Sequence, residues 1–177
     1  MNAEQRACIE SEMRILERDS LYTYHAHYAA AKFYGRVHTA LSFVATLAAA
    51  SVTVQLIMKA GLGGTGLIIL SLFATITALL QSTLETSKRS LVHKNAGDDM
   101  LCLYKNIVAT ALNPQLMSCE DCGPILQAAA QLRAEMASIN SKYPMTPRFA
   151  FAIAKKSVER TPPYDNVRID GTCMPRK

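Results

Sequence analysis

The sequence contains no Trp, and only 19% of its residues are charged. That is a low share of charge for a soluble domain. The shortage is not spread evenly, because Thr39–Met58 and Leu67–Leu84 hold no charged residue at all. Enzyme signatures are also absent: there is no phosphate-binding loop, no nucleophile elbow and no zinc-protease motif. The sequence therefore predicts no enzyme, no catalytic residues and no cofactor. Nor is there a run of Lys and Arg interleaved with aromatics, so nucleic acid is not an expected partner. Nothing near the amino-terminus reads as a signal peptide, since the first apolar segment begins near residue 37 and is too long for one.

What is present is organised around the two uncharged segments. The mean hydropathy of +0.09 averages them with polar flanks and so hides them. About 20 residues at a 1.5 Å rise cross the roughly 30 Å hydrocarbon layer. Lys59 and the glycine-rich stretch up to Gly66 separate the segments, which reads as a tight turn. A transmembrane helical hairpin over 37–84, with an outer turn at 59–66, is the expectation. Lys32 and Arg36 precede the first span, Lys88, Arg89 and Lys94 follow the second, and the loop has Lys59 alone. Basic residues concentrate on the cytoplasmic side, so both termini are expected there. The net charge of +5 agrees with an anionic membrane surface.

The flanks read as helical, so the fold class is all-α, with long helices running into a cytoplasmic bundle. Residues 1–36 form an amino-terminal helix with Ile9, Met13 and Leu16 in one stripe. Residues 85–160 form the cytoplasmic region. Within it the second-span helix continues, with Leu101, Tyr104, Val108 and Ala111 on one face, until Asn113-Pro114. A further helix follows Pro124, with Ile125, Ala129, Leu132, Met136 and Ile139 in a heptad-like seam suited to an oligomer or bundle contact. Pro144 ends it. Thr146-Pro147 caps a last short helix, whose Phe149, Ala152 and Ile153 dock on the bundle or lie at the membrane surface. Residues 161–177 read as a disordered tail.

Candidate sites are few. The five cysteines are expected to be reduced. Cys119 and Cys122 have metal-ligand spacing but lack the two further ligands of a structural zinc, so no metal is assigned. The four histidines form no cluster in sequence. In the second span, Ser71, Thr75, Ala78, Ser82 and Glu85 recur every three or four residues. Such a small, hydroxylated face suits close helix packing or a hydrated pore with Glu85 at its inner mouth. In the first span Ser42, Ala45, Ala49 and Thr53 form a small face for helix packing. Two spans cannot enclose a pore, so conduction requires a homo-oligomer. The alternative is a non-conducting membrane scaffold presenting a helical module to a partner.

The arrangement resembles the SLATT family of two-transmembrane effector domains. The likeness covers roughly residues 10–160. It rests on the helix through Ala26–Arg36 into the first span, the glycine-bearing hairpin, and the basic helix Lys88-Arg89-Ser90-Leu91-Val92-His93-Lys94-Asn95-Ala96. Leu132-Arg133-Ala134-Glu135 and the segment from Tyr143 to Pro147 complete it. The resemblance implies a pore-forming effector that permeabilises a membrane when a nucleotide sensor is triggered. No fused sensor domain is read in the sequence, so the trigger is expected to bind the cytoplasmic helices or to come from a separate cytoplasmic protein.

Overall fold

The computed structural model describes residues 3–58, 64–113 and 123–159. These form five helices: α1 (Ala3–Met58), α2 (Gly64–Leu84), α3 (Thr86–Ala111), α4 (Gly123–Lys142) and α5 (Arg148–Val158). The described residues contain no strand. The expected loop at 114–123, apart from Gly123, and the expected tail lie outside the described residues, as does most of the glycine turn. Gly64–Gly66, assigned to that turn by sequence, belong to α2.

The chain divides into two compact units, one of the residues up to Ala30 and from Val92 onward, the other Ala31–Leu91. The first unit is a helical bundle. Its core is Ile9, Met13 and Leu16 of α1, Met100, Leu103 and Ile107 of α3, and Ile125, Leu132 and Ile139 of α4. The α4 residues recur every seven positions, with Ala129 and Met136 packed between them, so the heptad seam is buried inside the bundle. On α3 the buried stripe is Met100, Leu103, Tyr104, Ile107 and Val108. Leu101, expected on this face, lies half-buried at its edge. A wider stripe is needed because α3 is covered by more than one helix.

Polar contacts tie the same helices. Asp98 and Asp99 are adjacent on α3 and so point about 100° apart. Asp98 accepts from the Tyr28 hydroxyl of α1 at 2.6 Å. Asp99 accepts from the Tyr143 hydroxyl and, at 3.1 Å, from Lys142 at the end of α4. Arg133 of α4 pairs with Glu12 of α1.

Of the two expectations for the Phe149, Ala152 and Ile153 face of α5, docking on the bundle is not what the fold shows. The helix's buried residues are Ala150 and Ala154, whereas Phe149, Ile153 and Ala152 are exposed. The small residues make the contact because they allow a close approach of backbones. Pro147 occupies the position before α5 and no side chain caps the helix. Thr146, read from sequence as part of that cap, turns its hydroxyl to His27 instead.

In the second unit α1 and α2 are both long and apolar. The stretches Ile9–Val54 and Ile68–Ala111 each include a segment apolar enough to cross a membrane by length and composition. Only 6% of the most apolar window of each is buried within the chain, whereas a soluble core helix is mostly covered. Between α2 and α3 the one residue outside a helix is Glu85, at φ 43°. The second-span helix is therefore broken there rather than continuous, and the left-handed conformation of a non-glycine residue costs on the order of 1–2 kcal/mol.

Gly97 in α3 lies against the Tyr28 ring, and a Cβ there would sit 3.1 Å from two ring carbons. Its absence lets the ring lie flat on α3 with the hydroxyl reaching Asp98. Gly97→Val should lower the unfolding free energy of the bundle by about 1–3 kcal/mol, the usual range for overpacking. Urea titration of the detergent-solubilised chain measures it, and an unchanged midpoint would rule out the close contact.

Candidate functional site

Burial divides α2 into sectors. Gly66, Leu70, Ala74, Thr77 and Gln81, spaced four, four, three and four, are its buried or half-buried residues. This sector meets α1, where Gln81 Nε2 donates to Ser42 Oγ at 2.7 Å. The opposing residues of α1 are Leu41, Ser42, Ala45, Ala48 and Val52, with Ala48 6% exposed. Of the small face expected on α1, Ser42 and Ala45 thus lie in the contact, while Ala49 and Thr53 are exposed. The true line of contact follows the heptad spacing of two packed helices and passes through Ala48 and Val52.

The Ser71, Thr75, Ala78 and Ser82 face is separate from that contact. All four residues are exposed, and they lie about 100° around the helix from the α1-facing sector. The remaining arc is exposed and apolar except for Thr65 and Thr83, with Ile69, Leu72, Phe73, Ile76, Leu79 and Leu80. Helix α2 therefore presents one face to α1, one small hydroxylated face and one broad greasy face.

The hydroxyl groups of the two apolar helices bond backward along their own helices. Thr46, Ser51, Thr53, Ser71, Thr75, Thr77 and Thr83 each donate to a carbonyl three or four residues earlier, at 2.8–3.0 Å. Such bonds satisfy the donor within an apolar surrounding and leave oxygen lone pairs facing outward. Glu85, at the end of the small face, accepts from Lys88 Nζ at 2.7 Å. That bond, with the nearby charges of Lys88 and Arg89, holds its carboxyl below the ordinary range. His38 Nδ1 lies 3.5 Å from the Thr86 hydroxyl of α3.

Sequence spacing gave no sign of the polar cluster in the first unit. His27 of α1 and His93 of α3, each 4% exposed, bring their Nδ1 atoms within 3.0 Å across 66 residues of sequence. His27 Nε2 lies 3.2 Å from the Thr146 hydroxyl. Burial, followed by the charge of His93, pushes His27 down from 6.5 to about 4. Among the described residues no group of three or more His, Cys, Asp or Glu could hold a metal. Cys119 and Cys122 lie outside the described residues.

No family model, curated protein or solved structure matches the chain.

Two predictions follow the geometry. Gln81→Leu removes the one side-chain bond joining the apolar helices here and should loosen their pairing by about 0.5–1.5 kcal/mol. Disulfide trapping between cysteines introduced at positions 48 and 74, which the Ser42–Gln81 register sets opposite each other, would report it, and an unchanged trapping rate would show the bond to be idle. The His27 value in the folded chain lies below its unfolded value, so the unfolded state takes the proton first. The stabilisation is fully present above about pH 6.5 and is lost as pH falls through about 4, a loss of roughly 2–3 kcal/mol. Unfolding of the bundle followed at pH 7 and at pH 4 should show it, and His27→Gln should shrink the difference.

Proposed function

We propose that the chain is an integral membrane protein whose α1 and α2 cross the bilayer as a hairpin, and that it assembles into a homo-oligomeric ion channel or pore. Both termini lie in the cytoplasm on this reading, as the basic residues flanking the spans favour. The observation that carries it is the division of α2. Helix α1 takes one sector of α2, and the Ser71, Thr75, Ala78 and Ser82 face stays exposed beside it. Lipid suits the broad apolar arc, and polar positions within a span avoid lipid. A ring of further copies would turn the small face inward. Its outward oxygen lone pairs suit a hydrated path that holds ions weakly enough to release them.

Glu85 stands at the inner mouth in this arrangement, paired with Lys88 and close to Arg89 in sequence. The pairing weakens any cation preference the carboxylate would supply. The resemblance to the SLATT family supports a pore opened by a separate cytoplasmic sensor.

The backward hydroxyl bonds support a second reading. With the Ser71 and Thr75 donors satisfied within their own helix, the small face can also pack against another helix with no water present. The chain is then a membrane scaffold that presents the bundle to a partner.

Recording single channels from purified chain in planar bilayers separates the two. A pore predicts discrete conductance steps, abolished in Thr75→Leu while the oligomer still forms. Glu85→Gln should shift the cation-to-anion permeability ratio. Steps that persist unchanged in Thr75→Leu would remove α2 as the lining, and no conductance from an intact oligomer at any voltage would favour the scaffold.

A further inference from the structure

The buried histidine pair is a titratable cluster that a pore reading leaves unused. It stands on the first unit alone and does not depend on the membrane reading. An imidazole ring accepts through a bare nitrogen and donates through a protonated one. Two Nδ1 atoms 3.0 Å apart therefore share a single proton. One ring carries its proton on Nδ1 and the other on Nε2. Whichever ring is the donor, the Thr146 hydroxyl can complement His27 Nε2, because a hydroxyl both donates and accepts.

Added protons act differently in turn. The first goes to the unprotonated Nε2 of the donor ring and leaves the Nδ1–H···Nδ1 bond in place. The second must go to the accepting Nδ1. Two N–H groups then face each other across a gap that holds one, and two positive rings sit at a centroid separation of 5.3 Å in a buried site. The contact survives one charge and not two.

The titratable groups on the surrounding elements are bonded elsewhere or exposed, and Asp98 keeps its negative charge. On α1 they are Tyr24, whose hydroxyl burial makes harder to ionise, and Tyr28, whose hydroxyl is bonded to Asp98. On α3 they are Asp98 itself and the exposed Lys94. In the stretch between α4 and α5, Tyr143 is bonded to Asp99, which also takes Lys142. Arg148, at the start of α5, is exposed and adds positive charge.

The three groups join three parts of the chain: α1, α3 and the stretch 143–147. The last is held least. Met145 is 95% exposed, and α5 beyond it is anchored through Ala150 and Ala154. Repulsion between the two charged rings displaces His27, whose Nε2 carries the Thr146 contact, and the displacement acts first on that stretch.

We propose that His27, His93 and Thr146 form an acid-sensitive latch, in which one shared proton holds the 143–147 stretch and α5 to the bundle and double protonation releases them. Acidification then frees a basic helix bearing exposed Phe149, Phe151 and Ile153.

The test uses the full-length chain in detergent micelles. Nitrogen-15 spectra of the imidazole rings at pH 7.5 should show one Nδ1-protonated and one Nε2-protonated buried ring. Hydrogen exchange by mass spectrometry, corrected for its intrinsic pH dependence, should rise at least tenfold over 143–158 between pH 7 and 4, with 100–107 still protected. His93→Gln keeps a bonding group that does not titrate, and should cut the rise to less than threefold. Should that variant fail to fold, Thr146→Val serves: its 143–158 stretch should exchange fast at pH 7.5 and show little further change with acid. Flat exchange in the unaltered chain down to pH 4 would overturn the latch. So would a rise of equal size in the variants, or rings that titrate fully while 143–158 stays protected.

Discussion

Between Ala26 and Gly35, α1 carries small residues on the side it turns to α3: Ala26, Ala30 and Ala31 are buried, and a Cβ added at Gly35 would lie 3.2 Å from the Ser90 hydroxyl. Helix α3 matches them with Ser90, Ala96 and Gly97. Small side chains on both helices let the backbones approach closely, and much of the polar structure depends on that approach. Ser90 donates to the Ala31 carbonyl at 2.9 Å, Tyr28 lies flat on Gly97 to reach Asp98, and the two histidine rings meet. Within the bundle, a larger residue at Gly97 would displace the Tyr28 ring and with it the Asp98 bond. Glycine within a helix costs about 0.5–1 kcal/mol relative to Ala, and here the close polar contacts offset that cost.

Helix α2 obeys a different constraint. It has too little apolar contact within the chain to cover itself, and its exposed residues include Ile68, Ile69, Leu72, Phe73, Ile76, Leu79 and Leu80. A water-exposed patch of this kind is unstable as a monomer surface. Lipid removes the difficulty for the broad arc. It does not explain why the adjoining face is small and hydroxylated, which is the reason for assigning that face a partner of its own kind.

The helices were legible in the sequence because their signals are local. Hydropathy over some twenty residues and the stops at Pro114 and Pro144 needed no tertiary information. The α4 heptads were equally plain, although spacing alone could not say whether they faced the same chain or another copy. Of the small face read on α1, Ser42 and Ala45 meet α2 beside Ala48 and Val52, while Ala49 and Thr53 stay exposed. Alanine, serine and threonine occur all around that helix, so composition does not mark which side is covered. The same ambiguity moved the α5 contact from Phe149 and Ile153 to two alanines, because a hydrophobicity rule prefers the bulky residues and close packing selects the small ones. Gln81 was passed over as one polar residue among hydroxyls. The His27–His93 pair joins residues 66 apart, a separation at which neither periodicity nor spacing carries information.

A bundle whose core is Ile, Leu and Met at heptad spacing has a weakness of its own. Shifting one helix by a full heptad restores much of the apolar contact, so the core sets which faces meet better than it sets their register. Polar pairs remove the degeneracy, because each is satisfied in one alignment only and a buried polar group without its partner costs about 1–3 kcal/mol. Tyr28 with Asp98 and His27 with His93 align α1 on α3. Tyr143 with Asp99 aligns the end of α4 on the same turn of α3. Four of these six residues lie within Asp98–Asp99 and His27–Tyr28, adjacent pairs that reach in different directions from one helical turn. Apart from the exposed Arg133–Glu12 pair, these register-setting contacts thus share one level of the bundle. That level also holds the histidines, so a proton added there acts where the alignment of all three helices is decided.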